Sequence, residues 1–122
     1  MAQQNYQDLI VWQKSIDLVT AVYVVTRTFP RDEVYALTSQ LRRAAVSVPS
    51  NIAEGQGRAT KGEFRQFLCQ ARGSLYEVQT QLHIARKLGY IDDEKAKEVA
   101  SSSTQVAQLL NGLLRSLKES RG

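Results

Sequence analysis

TKGEFRQFLCQARGSLYEVQTQLHIARKLG, residues Thr60–Gly89, carries the signals of one long helix and of both its ends. Phe64, Phe67, Leu68, Ala71, Leu75, Val78, Leu82 and Ala85 recur every three or four positions, so they share one face. Thr60 and Glu63 stand in the Thr-x-x-Glu order of a capping box, which satisfies free backbone N–H groups at a helix start. Gly89 closes the segment, and Arg86 and Lys87 sit near the negative end of its dipole. A helix with one apolar stripe needs a partner to cover it.

The flanking sequence supplies three more helices. Upstream, Asp32 is the expected N-cap of a second helix with the stripe Val34, Leu37, Leu41, Ala44, Val48 and Ile52. Pro49 interrupts that stripe, removes a backbone donor and crowds the preceding turn, which predicts a kink between Ala45 and Pro49. Ser47 and Ser50 are placed to satisfy the freed backbone groups, and Gly55 and Gly57 are expected to end the helix. The first helix is expected from Asp8 to Thr28, closed by Pro30. It carries two stripes: Leu9, Trp12, Ile16, Val19, Tyr23 and Thr26, and Val11, Ser15, Leu18, Val22, Val25 and Phe29. One bundle covers one stripe, so the second predicts burial by self-association; a broad core face is the plainer alternative. The fourth helix follows Asp92 with a heptad seam of Ala96, Val99, Ser103, Val106, Leu110, Leu113 and Leu117, and the tail Lys118–Gly122 is expected to fray. With no strand pattern and only short connections, the expectation is an all-α, antiparallel up-down four-helix bundle, its second helix kinked at Pro49, in a single domain over 1–122.

Composition agrees. At 122 residues the chain has the length of one domain, and 43% hydrophobic with 23% charged residues excludes a disordered chain. A single cysteine excludes an intramolecular disulfide. Met1–Gln7 lacks a leader pattern, and the most apolar run, Leu18–Val25, is too short to cross a bilayer, so a cytoplasmic protein is expected.

Catalytic chemistry finds little to work with. The one histidine, His83, and the one cysteine, Cys69, lie on the same helix about 21 Å apart, which excludes a dyad within one chain. Cys69 reads as a small, partly buried packing residue and His83 as a surface residue. No Glu-x-x-His motif occurs, and Asp92, Asp93 and Glu94 read as a helix start. Gly55–Gly62 has the glycines of a phosphate-binding loop, but its lysine is misplaced and a helix precedes it. The expectation is no enzyme, no cofactor and no metal.

Charge is sorted by face. On a helical wheel, Arg65, Arg72, Tyr76, His83 and Arg86 all fall within about 60° of Lys61. Glu63 and Glu77 fall on the opposite side of that wheel. Arg58 precedes this helix, and Arg42 and Arg43 add a basic pair on the second. The plain reading is solvated side chains bordering the core. The functional reading is a phosphate-contacting surface of Arg42, Arg43, Arg58, Lys61, Arg65 and Arg72, with Tyr76 as a stacking surface and RNA the favoured ligand.

Three segments, LTSQLRRAAVSVPSNIAEG (37–55), DLIVWQK (8–14) and ARGSLYE (71–77), carry a resemblance. The chain resembles a bacterial family of proteins encoded by intervening sequences in 23S ribosomal RNA genes, from about Tyr6 to Leu117. The resemblance implies a four-helix bundle and a ring-shaped homopentamer, with no settled biochemical activity. The fold is also similar to that of the accessory protein of diversity-generating retroelements, a basic ring that works with a reverse transcriptase. That likeness implies binding or scaffolding, with either nucleic acid or another protein as the partner.

Overall fold

The computed structural model describes residues 5–119, and they form four helices: α1 Ile10–Thr26, α2 Leu37–Gln56, α3 Lys61–Lys87 and α4 Asp93–Glu119. No strand occurs among the described residues. α2 packs on α1 and α3, α4 packs on α3 and α1, and the diagonal pairs do not approach one another. Helices joined in sequence are therefore neighbours in space, and α1 against α4 closes the square: this is the expected up-down bundle.

Local chemistry sets the helix ends. The Thr60 Oγ1 accepts from the Glu63 N–H at 3.1 Å and donates to Glu63 Oε1 at 3.1 Å. Asp92 Oδ1 accepts from the Lys95 N–H at 2.8 Å, which caps α4 as expected. At the end of α3, Gly89 adopts φ 78°, the Tyr90 N–H donates to the Ala85 carbonyl and the Gly89 N–H to that of Arg86. These paired bonds consume carbonyls that the helix leaves free, and the left-handed step favours glycine. A Cβ at Gly89 meets nothing within 4 Å, so Gly89→Ala isolates the backbone penalty. It should cost about 1 kcal/mol, read as a lower urea midpoint at unchanged slope.

Several boundaries differ from those expected. Tyr6–Asp8 is a separate 3-10 turn capped by Asn5, whose Oδ1 accepts from the Gln7 N–H, so α1 starts at Ile10; it ends at Thr26 rather than Thr28. Asp32 does not cap α2. It lies in a 3-10 turn, Arg31–Glu33, and Ala36 at φ −123°, ψ −107° separates that turn from the helix. Val34 thereby leaves the predicted stripe and is exposed. Glu33 supplies the acceptor instead, through Oε1 to the Leu37 N–H at 3.2 Å, while its Oε2 accepts from the Tyr90 hydroxyl at 2.8 Å. That hydrogen bond, with the carboxylate charge, raises the Tyr90 phenol above its ordinary pKa.

α2 runs through Pro49 to Gln56. Ser47 does not serve the freed backbone: its hydroxyl pairs with that of Ser74 on α3 at 2.8 Å and accepts from Asn51 Nδ2. Gly55 does not end the helix either. It lies buried within α2, and a Cβ there would stand 2.6 Å from Phe67 Cβ on α3. The α2–α3 interface is the most intimate in the bundle. Small residues let the backbones close up where Gly55 meets Phe64 and Phe67 and where Ser47 meets Ser74.

The core runs the length of the bundle through Leu18, Leu41, Val48, Ile52, Leu68, Leu75, Val78, Val106 and Leu110, all fully buried. On α4 the seam leaves the heptad near its end, where Leu114 is buried and Leu113 only half-buried. An untwisted helix drifts about 20° per heptad, so a four-residue step from Leu110 keeps the core covered. The expected frayed tail is helical through Glu119, and Ser120–Gly122 lie outside the described residues. The stripe Val11, Ser15, Leu18, Val22 and Val25 of α1, with Phe29 just beyond its end, is buried throughout. Leu9, Trp12, Ile16 and Val19 of the other stripe are half-buried, and Tyr23 is exposed.

Candidate nucleic-acid interface

The α3–α4 seam opens into a groove of about 450 Å³ lined by Arg65, Cys69, Arg72, Asn111, Leu114, Arg115 and Lys118. Helical spacing builds it from both sides. Arg65, Cys69 and Arg72 rise every three or four residues on α3, as do Asn111, Leu114, Arg115 and Lys118 on α4. Four cations thus share one wall-to-wall surface with no acid among its lining residues. None of the four makes an ion pair among the described residues. Arg72 is held in place, because its Nη1 donates to Asn111 Oδ1 at 2.9 Å. The Arg65 Nε is buried and finds no acceptor among the described residues. A guanidinium with donors unused and like charges around it favours an incoming anion. Lys61, at the start of α3, is exposed just beyond Arg65, while Glu63 is exposed on the other side of the helix.

The structure does not gather all six expected residues on this surface. Arg42 lies on α2 toward α1, with its Nε donating to Thr26 Oγ1 at 2.8 Å and its guanidinium 4.6 Å from the Tyr23 ring centre. Arg42 and Arg43 line a different groove, between α1 and α2, with Tyr23, Val34 and Val46. In a bundle of cyclic order α1, α2, α3, α4, that groove lies opposite the α3–α4 seam. Arg58 is engaged at the α2–α3 corner, paired with Glu54 at 3.2 Å and stacked 4.7 Å from the Phe67 ring centre. Only Arg65 and Arg72, with Lys61 beside them, belong to the α3–α4 surface.

Sequence reasoning missed Arg115, Lys118 and Asn111. Their spacing of four and three residues was the available signal, but Lys118 falls in the tail expected to fray, and charge was followed along α3 rather than α4. It also misplaced Cys69, which is exposed in the groove rather than packed in the core. Farther along the same seam, His83 and Arg86 border a smaller groove of about 250 Å³ with Gln79, Ser103 and Thr104. Arg86 is partly neutralised there by Asp93 at 2.9 Å. Among the described residues no group of three or more His, Cys, Asp or Glu is placed to hold a metal ion, and no helix is long and apolar enough to cross a membrane.

Comparison with known proteins bears on both fold and family. A crystal structure from Bacteroides thetaiotaomicron, of a protein of unknown function in the S23 ribosomal protein family, superposes with a TM-score of 0.79. The match covers 86% of this chain and 98% of that one at 21% identity, so it speaks to the fold alone. No curated protein matches the sequence. The family model for the 23S rRNA-intervening sequence protein matches residues 7–112, nearly the whole helical bundle. On that match, the chain belongs to the 23S rRNA-intervening sequence protein family.

Proposed function

We propose that this protein is a non-enzymatic, cytoplasmic homo-oligomer that binds nucleic acid, RNA in preference, through the α3–α4 surface. The observation that carries the reading is the groove of Arg65, Arg72, Arg115 and Lys118, four cations without an acid or an ion-pair partner among the described residues. Such a row contacts phosphates and sets register without reading bases, so sequence preference is slight. Leu9, Trp12 and Val19 pack on the bundle's own core, so support for self-association comes from Ile10, Tyr23 and Val24, exposed apolar side chains of α1, and from the family resemblance, which suggests five subunits. Repetition of the groove around an oligomer lets weak contacts add by avidity.

The test is filter binding of single-stranded RNA across a salt series, with the oligomer mass fixed beforehand by light scattering against the 13.7 kDa chain. Four phosphate contacts on a single strand predict a slope of about −3 in log affinity against log salt. A clean monomer removes the avidity. Salt-insensitive or absent binding favours the second reading, an oligomeric protein adaptor such as an accessory subunit of a reverse transcriptase. Exposed Tyr23, Val34 and Val46 around the opposite groove are the observation behind that alternative.

A further inference from the structure

Five tyrosines occur in the chain. Tyr6 packs edge-on against Trp12, Tyr23 lies under Arg42, and Tyr90 is tied to Phe29 and Glu33. The rings of Tyr35 and Tyr76 have no aromatic, cationic or hydrogen-bonding partner among the described residues. Tyr35 stands on the turn before α2, at the end of the bundle away from the cationic groove. Tyr76 is different: it is 47% exposed in the middle of α3.

Its position follows from helix geometry. Arg65, Arg72, Tyr76 and His83 lie within about 40° of one another around α3. Tyr76 is four residues beyond Arg72 and seven before His83, so it falls between the cationic groove and the smaller His83–Arg86 groove. From Arg65 to Arg86 the row extends about 31 Å along the axis. A helical side chain leans toward the preceding turn, and three residues back stands Gly73, which has no side chain to cover the ring; a Cβ added there would meet nothing within 4 Å.

We infer that Tyr76 is a stacking platform for an unpaired base, and that the α3–α4 surface therefore selects single-stranded RNA over duplex. This rests on the nucleic-acid reading above and adds the class of strand. Phosphates lie along Arg65, Arg72, Arg115 and Lys118, and the strand continues past Tyr76 toward His83 and Arg86. An aromatic face set among cations binds any base, because each base presents a π-surface; a duplex keeps those surfaces stacked inside. Charge alone would hold both forms.

The test uses the full chain and three probes of equal length: a single-stranded RNA, an abasic phosphodiester strand, and an RNA duplex. Tyr76→Ala should weaken the single-stranded RNA about tenfold and leave the abasic strand and the duplex within twofold. Tyr76→Trp should retain binding, and the single-stranded RNA should quench its added fluorescence while the abasic strand does not. Circular dichroism and light scattering confirm that both variants keep the helical oligomer. Equal loss on the RNA and abasic strands overturns the stacking role, as does no loss on either. If those results accompany an Arg65→Glu, Arg72→Glu double variant that no longer binds, the cationic surface stands and only the stacking fails. A parent that binds none of the three probes overturns both readings.

Discussion

Gly55→Val should destabilise the bundle by about 3 kcal/mol, near the upper end for overpacking a core. The alanine Cβ alone would stand 2.6 Å from Phe67 Cβ, 3.1 Å from Phe64 Cδ1 and 3.3 Å from the Phe64 carbonyl oxygen. Phe67 Cβ and the Phe64 carbonyl cannot swing aside as a flexible chain end does, so α3 itself must retreat. Its retreat strains the Ser47–Ser74 hydrogen bond and loosens Ala71 and Leu75 in the core. Gly55 has ordinary helical backbone, so a side chain there gains some helix propensity; for alanine the gain approaches about 1 kcal/mol. Gly55→Ala should therefore lose about half as much as valine. Urea unfolding followed by circular dichroism measures both. A valine variant as stable as the parent would show that α2 and α3 separate freely, contrary to the packing described.

Reversing the four groove cations together, Arg65→Glu, Arg72→Glu, Arg115→Glu and Lys118→Glu, should lower RNA affinity about a thousandfold at about 0.1 M salt. Each phosphate contact on a single strand contributes about 0.7 log unit at that salt through counterion release, so four contribute close to three. Arg43→Glu is the control, matched in charge to the single reversal Arg115→Glu, which should cost about fivefold. Arg43 lies in the opposite groove and is exposed, so its reversal should cost less than threefold. Arg42 is unsuitable as a control, because its bond to Thr26 and its stacking on Tyr23 also hold α1 to α2. Equal losses from Arg43→Glu and from the single reversal Arg115→Glu, which change the charge by the same two units, would mean that the RNA follows net charge rather than the α3–α4 surface. Filter binding with the oligomer mass checked for each variant distinguishes the cases.

The bundle was legible in sequence wherever one dominant signal acted. Thr60 and Asp92 cap as expected because each side chain reaches a backbone N–H three residues on. The apolar stripes are buried from Leu37 to Ile52 on α2 and from Leu68 to Ala85 on α3 because a 3.6-residue period admits one covered face. Prediction failed where tertiary contacts outweighed local preference. Asp32 is a good capping residue, yet Glu33 takes the bond to Leu37, and its other oxygen is anchored by Tyr90, which is 57 positions away. Gly55 reads as a terminator until the nearness of Phe67 shows that it is a contact point. The candidate site was half legible. Arg65 and Arg72 announce themselves on one helix, but their union with Arg115 and Lys118 depends on how α4 rotates against α3. Arg42 and Arg43 share the chemistry of that site but lie on the opposite side, which periodicity within one helix cannot reveal.

Because three of the four helix interfaces join neighbours in the chain, the bundle suits assembly during synthesis. The α2–α3 hairpin, the closest-packed pair, can form its mutual interface once Lys87 has emerged, with no loop longer than a few residues to close. Contacts this local carry little entropic delay, and helical chains of this kind fold in microseconds to milliseconds, faster than a ribosome adds one residue. α1 and α3 have to wait. Each keeps the flank that meets α4 uncovered until the last helix arrives, so α4 closes both remaining seams of the bundle in a single step.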